Sequence, residues 1–251
     1  MDTWKGTQEL SETLKEITTY MFHVKHQDNE MDKREKLEQF KKDVLEKNKE
    51  FNLTSITDDQ EFEIKHFEDS LSLIRILPDL DEKKYRVIDI GTGAGFPGIP
   101  LAIMYPNLEI TLMDSLQKRI NFINEEISRL GITNAHAIHA RAEDLARNGD
   151  FREKYDISVS RAVANLSTLM EYTTPFIHKG GGFVAYKSGD IDKEIENARR
   201  ALKLLRCRIE RKVEFQLNAD KGERTLLLIR KDGDTPAKYP RKAGTPSRQP
   251  L

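Results

Sequence analysis

The sequence predicts an α/β protein: helices first, then a Rossmann-like, mostly parallel sheet of seven strands closing in an antiparallel hairpin. Three observations predict it. One is the stretch Val87-Ile88-Asp89-Ile90-Gly91-Thr92-Gly93-Ala94-Gly95-Phe96-Pro97-Gly98, which reads as a buried strand, a glycine turn and a helix mouth. Another is the alternation of short apolar runs with amphipathic helices from Tyr85 onward. The third is the short turn Asn218–Glu223 between the last two strand patterns, which suits an antiparallel pair.

Taken in order, residues 8–22 carry Leu10, Leu14, Ile17 and Met21 on one helical stripe, and His23–Asp32 reads as a polar linker. A second helix places Leu37, Phe40, Val44, Leu45 and Phe51 on one face. Thr57-x-x-Gln60 has the form of a capping box, opening a third helix with Phe62, Phe67, Leu71, Ile74 and Leu77 inward and Pro78 as its stop. Strands are expected at Tyr85–Ile90, Glu109–Met113, Ala135–Ala140, Tyr155–Ser160, Phe183–Lys187, Ile209–Leu217 and Arg224–Arg230. Ser115 is placed to cap a helix striped by Leu116, Ile120, Ile123, Ile127 and Leu130, with Gly131 as its stop. A further helix runs through Leu166, Leu169, Met170, Phe176 and Ile177, and a charged one covers 190–205. Seven strands with a terminal hairpin is the arrangement of class I methyltransferases, whereas a dinucleotide fold has six parallel strands. The chain divides accordingly into an N-terminal extension (1–32), a helical cap (33–80), a cofactor-binding domain (81–233) and a basic, proline-rich tail (234–251).

Composition narrows the function. Charged residues make up 33% of the 251, yet the net charge is −1, so a polyanion would have to be met by a local patch. Cys207 is the single cysteine, which rules out an intrachain disulfide and favours a reducing compartment, the cytoplasm. No apolar run approaches the roughly 20 residues of a membrane span, so no membrane partner is expected. A monomer is the default expectation. From Thr235 to Leu251 the tail has four prolines, from Pro236 to Pro250, four cations and no acid. It reads equally as a disordered end or as a strap on RNA phosphates.

The glycine stretch alone is ambiguous. Gly93-x-Gly95-x-x-Gly98 fits a dinucleotide site literally, whereas Asp89-x-Gly91-x-Gly93-x-Gly95 has the spacing of S-adenosylmethionine (SAM) sites. A carboxylate facing the loop would repel a diphosphate and receive an ammonium group. Ligands in such sheets sit outside the carboxyl ends of the strands. There the sequence places Asp89, Gly91, Thr92, Gly93 and Phe96, then Asp114 at ribose-binding distance, then Ala142 and Glu143, then Arg161. Acids after three successive strands favour SAM.

The chain resembles the glucose-inhibited division protein B family. The resemblance is carried by Asp89–Leu101, Asn52-Leu53-Thr54, His66-Phe67-Glu68-Asp69-Ser70, Asp114-Ser115-x-x-Lys118-Arg119, Arg141-Ala142-Glu143, Ser160-Arg161-Ala162 and Tyr239-Pro240-Arg241-Lys242-x-Gly244-x-Pro246. It spans residues 33 to 251. It implies methylation of guanine N7 in 16S ribosomal RNA of the small subunit or its particle, with SAM as cofactor and S-adenosylhomocysteine as product. It also implies a cofactor set of Asp89, Gly91, Thr92, Gly93, Phe96, Asp114, Ser115, Ala142, Glu143 and Arg161. Arg161, Lys118 and Arg119 would be catalytic, and Asn52, His66, Lys118, Arg119, Arg241 and Lys242 would meet the RNA. No metal is expected. Read from the residues alone, Asn52 is turn chemistry, His66 an ordinary helix residue, and Lys118 and Arg119 a solvated helix face. The alternatives are a methyltransferase for another RNA or a small molecule, an NAD-dependent dehydrogenase, and a non-catalytic RNA-binding module. On this reading, loss of 235–251 weakens RNA binding and leaves SAM binding intact.

Overall fold

A computed structural model describes residues 31–161, 164–189, 191–218 and 222–251. The helix expected over 8–22, and all of the linker but its last residues, lie outside them.

Seven strands form one sheet in the order β3-β2-β1-β4-β5-β7-β6. They are β1 Arg86–Ile90, β2 Glu109–Asp114, β3 Ala135–His139, β4 Tyr155–Arg161, β5 Ile177–Lys187, β6 Cys207–Gln216 and β7 Glu223–Lys231. Strands β1 to β5 pair in parallel, and β7 runs antiparallel to both β5 and β6. The order reverses between β1 and β4, so a crevice opens there at the strands' carboxyl ends. Strand β5 begins at Ile177 and takes in the three glycines. Phe176 and Ile177 therefore leave the helix expected to hold them. At Gly181 an added Cβ would lie 2.7 Å from the Asp156 carbonyl oxygen, so a larger residue would push the two strands apart.

The helices are α1 Lys33–Lys47, a run α2 over 59–75, α3 Gly98–Met104, α4 Gln117–Arg129, α5 Ala142–Leu145, α6 Leu166–Thr173, α7 Ile191–Leu204 and the single turn α8 Thr245–Arg248. Asp32 caps α1 in a reciprocal capping box with Glu35. Run α2 is capped by Asp58, which accepts from the Glu61 amide, and not by Thr57. Its middle, Glu63–Glu68, is a π-helical turn, a local widening often found at functional sites. Ser115 does not cap α4. The carboxylate of Asp114 accepts from the Leu116 amide instead, and Leu116 itself is exposed, outside the buried stripe of Ile120 and Ile123.

The N-terminal helices share their core with the sheet and its covering helices. Leu37, Phe40, Val44, Phe62 and Phe67 belong to the same buried cluster as Ile99, Leu112 and Ile120 of the sheet layer. Buried Lys41 of α1 adds ion pairs to Asp59 and Glu63 of α2. The tail is not the disordered end that was one of the two expectations for it. It packs on the body, with Tyr239 and Pro246 buried and α8 formed despite the prolines.

Candidate active site

The glycine stretch is held from below by its acid. Asp89, fully buried, accepts from the Thr92 hydroxyl at 2.7 Å and from the Gly98 amide at 2.9 Å, both on Oδ2. Gly91 and Thr92 amides both donate to the Met113 carbonyl, fastening the loop to β2. Gly91 and Gly93 adopt positive φ, which a side chain would resist. Gly98 is needed for space: a Cβ there would lie 2.6 Å from Leu112 and 2.9 Å from Asp89. Burial pushes the Asp89 carboxyl up to about 7, against the two hydrogen bonds that favour the charged form.

A cavity of about 650 Å³ opens over this loop, within the size range of small-molecule sites. Gly91, Thr92, Gly93 and Phe96 line it from β1, Asp114, Ser115 and Arg119 from β2, and Ala142 and Glu143 from beyond β3. His66 and Arg161 close one end. Asp89 is not part of the lining: its carboxylate turns under the loop. That corrects the expectation that it would face a ligand's ammonium group. Asp114 accepts from the Gly93 amide at 3.0 Å and from Arg119 at 3.2 Å through Oδ2, and from the Leu116 amide through Oδ1. Arg119 is thereby an ion-pair partner inside the cavity, and its buried Nε has no hydrogen-bond partner among the described residues. Three arginines (Arg119, Arg141 and Arg161) and two carboxylates line the space, so the acids alone do not set its charge.

The tail supplies a wall that sequence reasoning missed. Gly244 and Ser247 line the cavity, and the Gly244 amide donates to Glu143 Oε1 at 2.8 Å. Arg241 does not point to a partner outside the chain. Its backbone and guanidinium make four hydrogen bonds to the fully buried Glu171 of α6, the shortest 2.6 Å. Lys242 is exposed. Tyr172 of α6 is a further lining residue for which the sequence held no signal.

At the other end the π turn turns His66 inward. Its ring stacks on Phe96 of the glycine loop, centroids 4.3 Å apart and 7° from parallel. Nδ1 accepts from Arg161 Nη2 at 3.0 Å, and Nε2 therefore donates to the Thr54 hydroxyl at 2.8 Å. Burial, with the Arg161 charge beside it, lowers the imidazole to about 3, so it stays neutral. Arg161 Nη1 donates to the Lys65 carbonyl and to buried Asp69, which also holds Arg224. Asp69 belongs to the His66–Ser70 motif, and the sequence alone assigns it no role. Asn52 is exposed and lies outside the cavity; its neighbour Leu53 is on the lining. Lys118 also lies outside, with its ammonium 4.7 Å from the Phe51 ring centre. Among the described residues there is no group of three or more His, Cys, Asp or Glu able to hold a metal, and no helix long and apolar enough to cross a membrane.

A switch-point cavity over a glycine loop, on a seven-stranded sheet with an antiparallel end, defines a class I SAM-dependent methyltransferase. A solved SAM-dependent methyltransferase from Aquifex aeolicus has the same fold, with a TM-score of 0.50 at 16% identity over 74% of this chain and 97% of that one. The model of the GidB family, described as rRNA small subunit methyltransferase G, matches residues 33–225, and the chain belongs to that family. Relatives named ribosomal RNA small subunit methyltransferase G share 49% identity in Acetivibrio thermocellus (84% of this chain, 86% of the relative) and 44% in a Thermoanaerobacter species (98% and 99%). SAM is the cofactor.

The cavity fits that group. It offers an apolar floor at Ile90, Met113 and Ala142, the paired carboxylates of Asp114 and Glu143, and a loop whose glycines keep side chains out of the space.

Proposed function

We propose that this chain methylates N7 of a guanine in 16S ribosomal RNA, as free RNA or in the small-subunit particle, acting as a monomer in the cytoplasm. The observation that carries the reading is the closed polar chain Thr54–His66–Arg161–Asp69 at the inner end of a SAM-type cavity, in a member of an rRNA methyltransferase family.

When bound, SAM supplies a methyl group already activated on a positively charged sulfur. Guanine N7 carries an unprotonated lone pair, so no residue has to remove a proton. His66 agrees with that: its Nδ1 is occupied by Arg161 and it stays neutral, so it does not serve as a base. What the chain must do is orient. Reacting atoms have to be held about 3–3.5 Å apart and in line. Arg161, fixed by three partners, keeps its Nη donors away from the N7 lone pair and presents its charge at the boundary between cofactor and base. Asp114 and Glu143 hold the adenosine side, and Gly91, Thr92, Gly93 and Phe96 the methionine side, with Ser115 and Ala142 beside them. Lys118, Asn52 and Lys242 are exposed and are assigned to the RNA backbone. A base inside a helix is out of reach, so the target is single-stranded or flipped out.

The test is incubation of unmodified small-subunit rRNA with labelled SAM and the full chain. Label should appear on one guanine, which then becomes cleavable by borohydride and aniline. Label on a pyrimidine or an exocyclic amine overturns the reading. A melting temperature raised by NADH and not by S-adenosylhomocysteine would favour the dehydrogenase instead.

A further inference from the structure

A second cavity of about 340 Å³ adjoins the first, and the two share His66 and Arg161 as lining residues. It opens where β4 and β5 end, at the switch-point side of the sheet. Four cations line it (Lys65, Arg161, Lys187 and Arg224) against two carboxylates, Asp69 and Glu194, a net charge of +2 with His66 neutral. That balance suits a group carried on a phosphate backbone.

The two carboxylates differ in what they have left to offer. Asp69 is buried, with Oδ2 taken by Arg161 and Oδ1 by Arg224. Glu194, in the first turn of α7, is bound among the described residues through Oε2: it accepts from Lys187 Nζ at 2.7 Å and from the Leu166 amide at 3.1 Å. Lys187 also donates to the Ala164 carbonyl, so Glu194 is braced against the segment that follows β4. Glu194 lines a cavity otherwise rich in donors.

Among the four RNA bases, guanine alone presents two adjacent donors, N1–H and the N2 amino group, on its Watson–Crick edge. A carboxylate is their natural acceptor, and it repels the N1 lone pair of adenine. A guanine set with this edge toward Glu194 turns N7, on the far side of its ring, toward His66 and Arg161 and so toward the cofactor cavity. We infer that this second cavity receives the target nucleobase and that Glu194 reads it as guanine. Within the functional reading above, this names the base-recognition residue, a group the sequence motifs left without a role.

The experiment uses the full chain and an rRNA fragment carrying either guanosine or inosine at the mapped target position. Inosine keeps N7, O6 and N1–H but lacks the N2 amino group. The wild-type chain should methylate inosine about tenfold or more slowly in single turnover, the cost of one lost bond to a charged acceptor. Glu194→Gln should slow methylation of guanosine by a similar factor and bring the two substrates to near-equal rates. The melting shift caused by S-adenosylhomocysteine should be unchanged in that variant. Equal wild-type rates on the two substrates overturn the inference, as does an undiminished inosine penalty in Glu194→Gln. If the wild-type chain makes no N7-methylguanine at all, the functional reading falls and takes this inference with it.

Discussion

The glycine loop and the C-terminal tail face each other across one cavity, and they are built by opposite means. In the loop, every stabilising contact of Asp89 reaches a residue within nine positions, Thr92 or Gly98. Local chemistry around Asp89 sets this part of the shape, which β2 then fastens through Met113 and Asp114, and the motif announces it. In the tail, Arg241 binds Glu171, 70 residues away, and Gly244 binds Glu143, 101 residues away. Nothing local in a stretch of prolines and cations announces that. Charge read from a sequence is thus a poor guide to a free surface when a buried acid waits elsewhere in the chain. The basic tail is a structural clamp, and of its cations Lys242 is exposed.

The comparison can be broken most sharply at the clamp. Arg241→Met leaves a carboxylate buried without its partner and should cost about 3–5 kcal/mol. For a chain of this size that lowers the melting temperature by about 10 °C. The double change Glu171→Met with Arg241→Met should recover most of it. A tail that merely strapped RNA would show neither effect. On the loop side, Gly98→Ala drives a methyl into Leu112 and Asp89, and should cost about 1–3 kcal/mol with a parallel loss of S-adenosylhomocysteine binding. Calorimetric titration and thermal melting check both. A smaller effect tests whether long-range polar anchoring recurs outside the tail. Buried Glu126 of α4 faces Asp43 of α1, and burial together with that neighbour pushes its carboxyl up to about 8. A raised carboxyl contributes stability that is complete below its unfolded pKa near 4.5 and is lost as the pH rises through 8. Glu126→Gln should therefore flatten the decline of stability between pH 4.5 and 8, with a gain of about 1–2 kcal/mol at the alkaline end. His66 has the opposite sign. Its lowered value gives stability present above pH 6.5 and lost as the pH falls toward 3, and His66→Gln should remove that acid-side decline.

Much of the fold was legible because it rests on period and punctuation. The strand at Arg86–Ile90, the acid at the end of β2 and the terminal hairpin all follow from short-range pattern. The errors have local causes too. Helix α4 has no side-chain cap: Leu116 stands at its N-cap, and the Asp114 carboxylate accepts from the Leu116 amide. Asp58 displaced Thr57 by one position, because a carboxylate was equally well placed for the Glu61 amide. The candidate site was legible in its glycines and strand-end residues. It was not legible in direction: a motif fixes where Asp89 sits but not that its carboxylate turns beneath the loop. His66 read as an ordinary helix residue because nothing in the sequence marks a π turn, and it is that turn that brings it onto Phe96.

The central claim is that loop and tail together make one cofactor cavity. It is tested most directly by titrating S-adenosylhomocysteine into the full chain and into a chain ending at Asp234, at a temperature where circular dichroism shows both folded. The shared cavity predicts at least a tenfold weaker dissociation constant for the shortened chain. Equal affinity in the two would contradict it, and would return the tail to the RNA alone.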